Sequence, residues 1–358
     1  MKHGTLDSFW KARNPRPHYK NVKPAVLTVG GWFDAEDLFG ALETYRAFET
    51  QSPGAENTLV MGPWKHGAWA REEGDRHGDL NFGQKTSLYY QEQIELPFFR
   101  RHLKGAEGGV PPEALVFETG TNMWHRYGSW PPPGATLTTF YLGPKGTLTR
   151  GRPPGAGDLY DSYLSDPSKP VPYHGRPSLK IDKNYMSADQ RFAARRPDVL
   201  VFATPELDRD VRFAGPLEAQ LWVSTTGTDA DFIVKVIDVH PPRKRKGKLT
   251  TLSGYQQLVR GEVMRGKFRD SFETPVPFEP GRPTEVRFAL PDVCHSFRAG
   301  HRIMIQVQSS WFPLVDRNPQ TFTDIYAAKE SDFRAATHRI YRSASMPSAL
   351  RATLLPTR

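Results

Sequence analysis

The chain has a single cysteine, Cys294. One thiol excludes an internal disulfide and a zinc site built from cysteines. Its place at the end of an apolar run reads as a buried strand residue rather than a nucleophile. Nowhere do about 18 or more apolar residues follow one another, so no membrane span is expected. The first twenty residues, MKHGTLDSFWKARNPRPHYK, are charged throughout and lack the apolar centre of a signal peptide. That leaves the compartment open. Basic residues outnumber acidic ones 48 to 39, a formal charge of +9, but they form only one dense run, Arg243-Lys244-Arg245-Lys246-Gly247-Lys248. It follows Pro241-Pro242 and has no aromatic residues interleaved, so it reads as a solvated loop and not a nucleic-acid surface.

Against these absences stand 38% hydrophobic and 24% charged residues in 358 positions, an ordinary globular composition with length for two domains. Gly (30) and Pro (32) are plentiful, which favours frequent turns and short strands. Residues 21–108 read as α/β. Ala25-Val26-Leu27-Thr28-Val29 is a short β-branched run between Pro24 and Gly30-Gly31, the pattern of a strand buried on both faces. From Asp37 a helical period places Leu38, Leu42, Tyr45 and Phe48 on one face. Thr58-Leu59-Val60-Met61 is a second buried strand, and 86–103 a second helix. Strand, helix, strand, helix is a piece of a parallel sheet.

After about residue 112 the period changes to short alternating runs. They include Leu115–Glu118, Thr138–Leu142, Val199–Phe202, Leu221–Val223, Phe232–Ile237, Val286–Phe288 and Arg302–Val307. With no convincing helix between them, residues 109–358 are expected to form an antiparallel sandwich of jelly-roll type. Residues 143–198, rich in Gly, Pro, Asp and Ser, are expected to be a long irregular excursion. The fold class is therefore α/β followed by all-β. The α/β piece is too short to close a doubly wound sheet, so further strands are expected upstream, without which it exposes an edge and an apolar face.

Two residues carry the chemistry. Asp34 lies just past the end of the first strand, in Gly30-Gly31-Trp32-Phe33-Asp34. His66 lies past the next, in Met61-Gly62-Pro63-Trp64-Lys65-His66. Loops beyond the carboxyl ends of strands form the active sites of open α/β sheets. An acid at one strand end and a histidine at the next is the last part of the order Ser…Asp…His. There the histidine carries the proton and the carboxylate fixes its tautomer. The plainer alternative makes Asp34 a helix cap and His66 a packed loop residue.

The blocks Gly30-Gly31-Trp32-Phe33-Asp34-Ala35-Glu36-Asp37 and Asn57-Thr58-Leu59-Val60-Met61-Gly62-Pro63-Trp64-Lys65-His66 resemble the triad-acid and triad-histidine blocks of the cocaine-esterase-like serine hydrolases. That family includes X-Pro dipeptidyl-peptidases, glutaryl acylases and α-amino-acid ester hydrolases. Phe117–Trp124, Thr226–Phe232 and Gln308–Pro319 extend the resemblance over nearly the whole chain. It implies an α/β-hydrolase domain, of which residues 21–108 are the C-terminal part, followed by a jelly roll, with residues 1–20 the end of a helical cap. It implies Asp34 and His66 as triad acid and base. In the α-amino-acid ester hydrolases an Asp-x-Glu-Asp motif also holds the substrate's ammonium, which here points to Glu36 and Asp37; the alternative is that both acids only decorate a helix N-terminus. Trp32, Phe33 and Trp64 flank the site and either line an acyl pocket or pack the core.

The departure from the family is that no Gly-x-Ser-x-Gly occurs in the 358 residues. The expectation is therefore a serine-hydrolase fragment that does not form an acyl-enzyme by itself. Its small-molecule ester or amide substrate needs no cofactor and no metal, and no nucleic acid or membrane is involved; a homo-oligomer stays open. A non-catalytic jelly-roll binding protein, for carbohydrate or another ligand, is the rival expectation. His77 with Glu72, Glu73 and Asp75 shows no metal-ligand spacing. Trp311-Phe312 is expected to pack at the joint of the two domains, and Asp229 and Asp231 to shape a turn.

Overall fold

The computed structural model describes residues 2–107, 112–155, 159–176, 181–245 and 248–356. Near the start, Ser8–Lys11 forms one helical turn and Arg16–His18 a 3-10 turn. The buried runs then form as expected. Strand β1 (Val26–Gly31) and strand β2 (Asn57–Gly62) lie parallel, connected by helix α1 (Leu38–Gln51). Leu42 and Tyr45 of α1 are buried against the sheet, and Leu59, Val60 and Met61 of β2 are fully enclosed. Each such side chain contributes about 1.5–3 kcal/mol by leaving water. The helical stretch 86–104 comprises α2 (Thr86–Tyr90), a π-type turn at Gln91–Glu95 and α3 (Leu96–Lys104). Among the described residues no helix is long and apolar enough to cross a membrane.

The run expected to open the sandwich does otherwise. Strand β3 (Ala114–Glu118) pairs parallel with β2, and β4 (Met123–Tyr127) closes that sheet antiparallel, in the order β1-β2-β3-β4. All five residues of β3 are buried, as befits an inner strand. β1 stands at the opposite edge, with Val26, Leu27 and Val29 only half-buried.

The remaining strands build a β-sandwich. One sheet runs β7-β12-β9-β10, from β7 (Leu200–Ala203), β9 (Asp231–Val239), β10 (Gln256–Arg265) and β12 (Arg302–Gln308). The other is centred on β8 (Val211–Thr225) and β11 (Thr284–Phe297). It also holds β5 (Thr136–Leu142), β6 (Tyr160–Ser165), β13 (Ala336–Tyr341) and β14 (Ala349–Leu355), and Leu148–Thr149 extends it beside β5. Phe140, Phe213, Leu221, Phe232, Val234 and Ile305 belong to the core between them. β8 turns the corner at Gly215, where the register shifts and φ is +128°; a Cβ there would crowd Pro131. The stretch 143–198 is less irregular than its composition suggests: it contributes β6, and Arg191–Ala194 forms a helical turn. The basic run is a small hairpin, Lys244–Arg245 pairing with Lys248–Leu249, while Lys246 and Gly247 lie outside the described residues.

β9 is buried on both faces. Phe232, Val234 and Val236 point into the sandwich core; Ile233 and Ile237 point the other way, to Tyr173, Tyr185 and Trp311. Lys235 lies on that second face, fully enclosed. Its ammonium donates to Gln190 Oε1 at 3.0 Å and faces the Trp311 ring at 5.3 Å. Burial pushes it down to about 7, so the fold disfavours its charge throughout the range below the ordinary lysine value. Lys235→Met keeps the apolar stem and removes the ammonium. We expect it to raise unfolding stability at pH 7 by about 2 kcal/mol, after the loss of the Gln190 contact. Urea unfolding of the two chains measures this, and a less stable variant would contradict it.

Candidate active site

The two site loops are drawn together by glycines. A Cβ on Gly31 would lie 2.2 Å from the Trp64 carbonyl oxygen, and one on Gly62 would lie 2.5 Å from the Trp64 ring. Without them, Trp32 N–H donates to Gly62 O at 2.8 Å and Phe33 N–H to Trp64 O at 3.0 Å. The acid turn and the histidine loop are thus zipped edge to edge beyond the strand ends. Asp34, 4% exposed, accepts at Oδ1 from the backbone N–H groups of Glu36 (2.8 Å) and Asp37 (3.0 Å). His66 Nδ1 stands 3.0 Å from Asp34 Oδ2 and 3.2 Å from Oδ1. A carboxylate only accepts, so the imidazole proton resides on Nδ1 and the lone pair on Nε2. The His66 side chain is 37% exposed, and Nε2 lies 3.8 Å from Glu36 Oε2.

The neighbouring acids differ. Glu36 is exposed and ion-paired with the ammonium of Lys183, a partner 147 residues away in the supposed irregular stretch. That hydrogen bond, and more weakly the proximity of His66, holds its carboxyl below the ordinary value. Asp37 caps α1, accepting from Gly40 N–H at 3.0 Å. Asp37 is thus the cap of the helix, whereas Asp34 holds the turn that precedes it and reaches the histidine as well.

Trp32, Phe33 and Trp64 pack the core and present almost no surface, at 2%, 3% and 1% exposure. Trp32 Nε1 donates to Phe117 O at 2.7 Å, and Trp64 Nε1 to Thr86 Oγ1 at 2.9 Å. Phe33 stacks on His77 at 4.5 Å between ring centroids. Of the two alternatives for these aromatics, packing is the one the geometry supports. Their polar atoms are already satisfied, and the rings position the loops from below. His77 is buried against Phe33, while Glu72, Glu73 and Asp75 pair with Lys65, Lys85 and Arg76 and do not converge on it. Trp311 lies in a cluster that reaches Ala35 beside the acid turn, and Phe312 is partly exposed. Asp229 accepts from Ala230 and Lys267 N–H groups, and Asp231 holds Arg265 and Asn318.

The sandwich braces this site from a distance. Arg260 of β10, fully buried, donates to Trp32 O and to Asp292 O, each at 3.0 Å. Sequence alone offered no sign of it, because only the docking of β10 under the first sheet brings residue 260 to residue 32.

Comparison with known proteins gives the family. The family model of the X-Pro dipeptidyl-peptidase C-terminal non-catalytic domain matches residues 108–351, and that of the X-Pro dipeptidyl-peptidase S15 family matches residues 1–68. The chain belongs to the X-Pro dipeptidyl-peptidase and cocaine-esterase-like family. Cocaine esterase of Rhodococcus sp. is 32% identical over 362 residues, an alignment covering 97% of this chain and 59% of that protein. Two crystal structures superpose over 99% of the chain and 59% of their own length. An aminopeptidase from the marine sediment archaeon Thaumarchaeota archaeon is 39% identical with a TM-score of 0.94. An α-amino acid ester hydrolase is 35% identical with a TM-score of 0.93. This family member thus spans about three-fifths of the length of the relatives it matches, and its fold is the α/β part of a hydrolase joined to a β-sandwich.

Proposed function

We propose that this chain supplies the acid and the histidine of a serine hydrolase that cleaves esters or amides through an acyl-enzyme, its nucleophile coming from outside these 358 residues. The observation that carries the proposal is the Asp34–His66 contact at 3.0 Å, with Nε2 left facing outward. In this reading the serine Oγ attacks the substrate carbonyl carbon while Nε2 of His66 takes its proton. The carbon–leaving-group bond then breaks, and Nε2 returns that proton to the departing oxygen or nitrogen. Water repeats the sequence to free the acid and the serine. Asp34 stabilises the imidazolium in both halves. The open edge of β1 supports the proposal, since a parallel strand with half-buried Val26, Leu27 and Val29 on the acid side is where further strands of the sheet fit.

The substrate class we propose is α-amino acyl. Glu36 places a carboxylate 3.8 Å from Nε2 and already receives one ammonium, that of Lys183. A substrate ammonium at the same carboxylate would sit beside the reacting carbonyl. Asp37 would add a second negative charge at the helix start.

Complementation tests this. The portion of the α-amino acid ester hydrolase that precedes its region of similarity is co-expressed with this chain, and the two are co-purified to establish assembly. The assembled pair is expected to hydrolyse a phenylglycine ester, and the same pair carrying His66→Ala is not. A co-purified pair no faster than its His66→Ala version would overturn the proposal. Glu36→Gln is expected to cut kcat/KM for the amino ester by about 10- to 100-fold and to leave the des-amino analogue nearly unchanged. Equal losses on both would remove Glu36 from ammonium binding.

A further inference from the structure

Outside the proposed triad, three imidazoles surround one buried carboxylate. Asp238 is the last residue but one of β9, and His240 follows two residues later. His301 precedes β12, and His295 lies in β11. The strand register sets Asp238 beside Ile303 on one side and Gln257 on the other, which brings in His301 from just before β12, while His295 comes from β11 of the other sheet. His301 Nδ1 lies 2.8 Å from Asp238 Oδ1. His295 Nε2 lies 3.2 Å and His240 Nε2 3.7 Å from Asp238 Oδ2. One ligand atom from each of Asp238, His240 and His301 falls within 4.8 Å of the others. The His240 and His301 rings are 4.6 Å apart, and Gln257 Oε1 is 3.1 Å from His240 Nε2. Asp238, His295 and His301 are buried; His240 is the partly exposed member.

The rest of the molecule shows why this is unusual. Among the described residues the other ion-paired buried carboxylates of the sandwich and its joint each have an arginine: Glu118 has Arg212 beside His125, Asp231 has Arg265 and Asp292 has Arg46. Arginine is a permanent cation without a lone pair, suited to structure alone. Around Asp238 the ion-pair partners among the described residues are all histidines, which as neutral rings offer metal-binding nitrogens. A tetrahedral ion with bonds of about 2.0–2.1 Å sets its ligand atoms roughly 3.3 Å apart. His301 Nδ1 stands 2.8 Å from Oδ1 and His240 Nε2 3.7 Å from Oδ2 of the same carboxylate, with all three ligand atoms within 4.8 Å, so rotation of the rings and the carboxylate brings two nitrogens and one oxygen to that spacing. Two nitrogens and a carboxylate oxygen favour a first-row transition ion over calcium or magnesium.

We propose that Asp238, His240 and His301 bind a divalent transition ion of the zinc type. His295 is the positioning residue: it holds the second carboxylate oxygen, and its Nδ1 lies 2.8 Å from Thr119 Oγ1. Thr119 follows β3 and bridges to β11 through Thr119 N–H to Cys294 O at 3.0 Å. The ion would thus stiffen the joint between the first sheet and the sandwich. On binding, the His301 proton that faces Asp238 is given up to water while Nε2 of the same ring takes one from water, so the ring stays neutral and its Nδ1 lone pair takes the metal. This departs from the metal-free expectation of the sequence and does not rest on the hydrolase proposal.

The test is titration of the chelator-treated 358-residue chain with Zn²⁺ and with Co²⁺. We expect one equivalent of either to bind, Co²⁺ to give the visible absorption of a tetrahedral site, and the melting temperature to rise with Zn²⁺. His240→Ala, chosen because the residue is partly exposed and its loss is compatible with folding, is expected to weaken binding at least about 100-fold. His18→Ala, outside the cluster, leaves it unchanged. Absence of one-to-one binding, or binding that a folded His240→Ala chain retains, overturns the site.

Discussion

Asp34→Asn in the complemented enzyme is expected to lower kcat by about 10⁴-fold without disturbing the fold. The direction follows from hydrogen-bond roles that the structure fixes. Asp34 Oδ1 accepts two backbone N–H groups, from Glu36 at 2.8 Å and Asp37 at 3.0 Å. In the asparagine variant the amide oxygen must take that place, since an NH₂ group there would face two donors. The NH₂ is then left at the Oδ2 position, 3.0 Å from His66 Nδ1. A donor facing Nδ1 drives the imidazole proton to Nε2, where the lone pair is needed. The variant keeps every cap of the turn and loses the base. Asp37→Asn, by contrast, touches only the helix cap and is expected to change kcat less than about threefold, since Asn caps as well as Asp. Steady-state kinetics on the assembled pair measures both. A loss under about tenfold for Asp34→Asn would mean that the contact does not set the tautomer.

Much of the candidate site is legible in the amino-acid sequence. Asp34 and His66 stand at consecutive strand ends, and short buried strands announce themselves by apolar runs between Pro and Gly. The membership of β3 was not readable. Ala114–Glu118 is apolar on both faces, which says that the strand is internal but not to which sheet. It pairs with β2 because the chain between is a helix that returns it parallel. Nor could the fate of Trp32, Phe33 and Trp64 be read, since an aromatic residue beside a catalytic turn has the same sequence whether it faces substrate or core. Lys183 and Arg260 were out of reach for another reason: each meets the site through tertiary docking across more than a hundred residues. Asp238 and His240 form a visible Asp-x-His pair, but His301 joins them only because β12 lies beside β9.

Acidification is expected to unfold the chain earlier than its carboxylates alone would. His77 and His338 are buried, at 4% and 0% exposure, and each has a ring nitrogen without a partner. Burial pushes His77 down to about 4 and His338 down to about 3. Unfolded, both return to about 6.5. The unfolded chain therefore binds more protons once the pH falls below that value. Stability is complete above about pH 7 and is lost progressively as the pH drops toward the folded values. Between pH 7.5 and 5 the two histidines together remove about 4 kcal/mol. Below that, Glu118 adds its own loss. Burial raises its carboxyl, but the approach of His125 and the hydrogen bonds from Arg212 and Ser296 outweigh that and hold it well below the usual range. Protonating it forfeits those bonds. Urea midpoints in the presence of chelator at pH 7.5, 6 and 5 should trace the histidine part, with His77→Phe as the control. Phenylalanine keeps the flat stack on Phe33 and cannot titrate, so the fall between pH 7.5 and 5 should shrink by about half. An unchanged fall in that variant would place the acid sensitivity elsewhere.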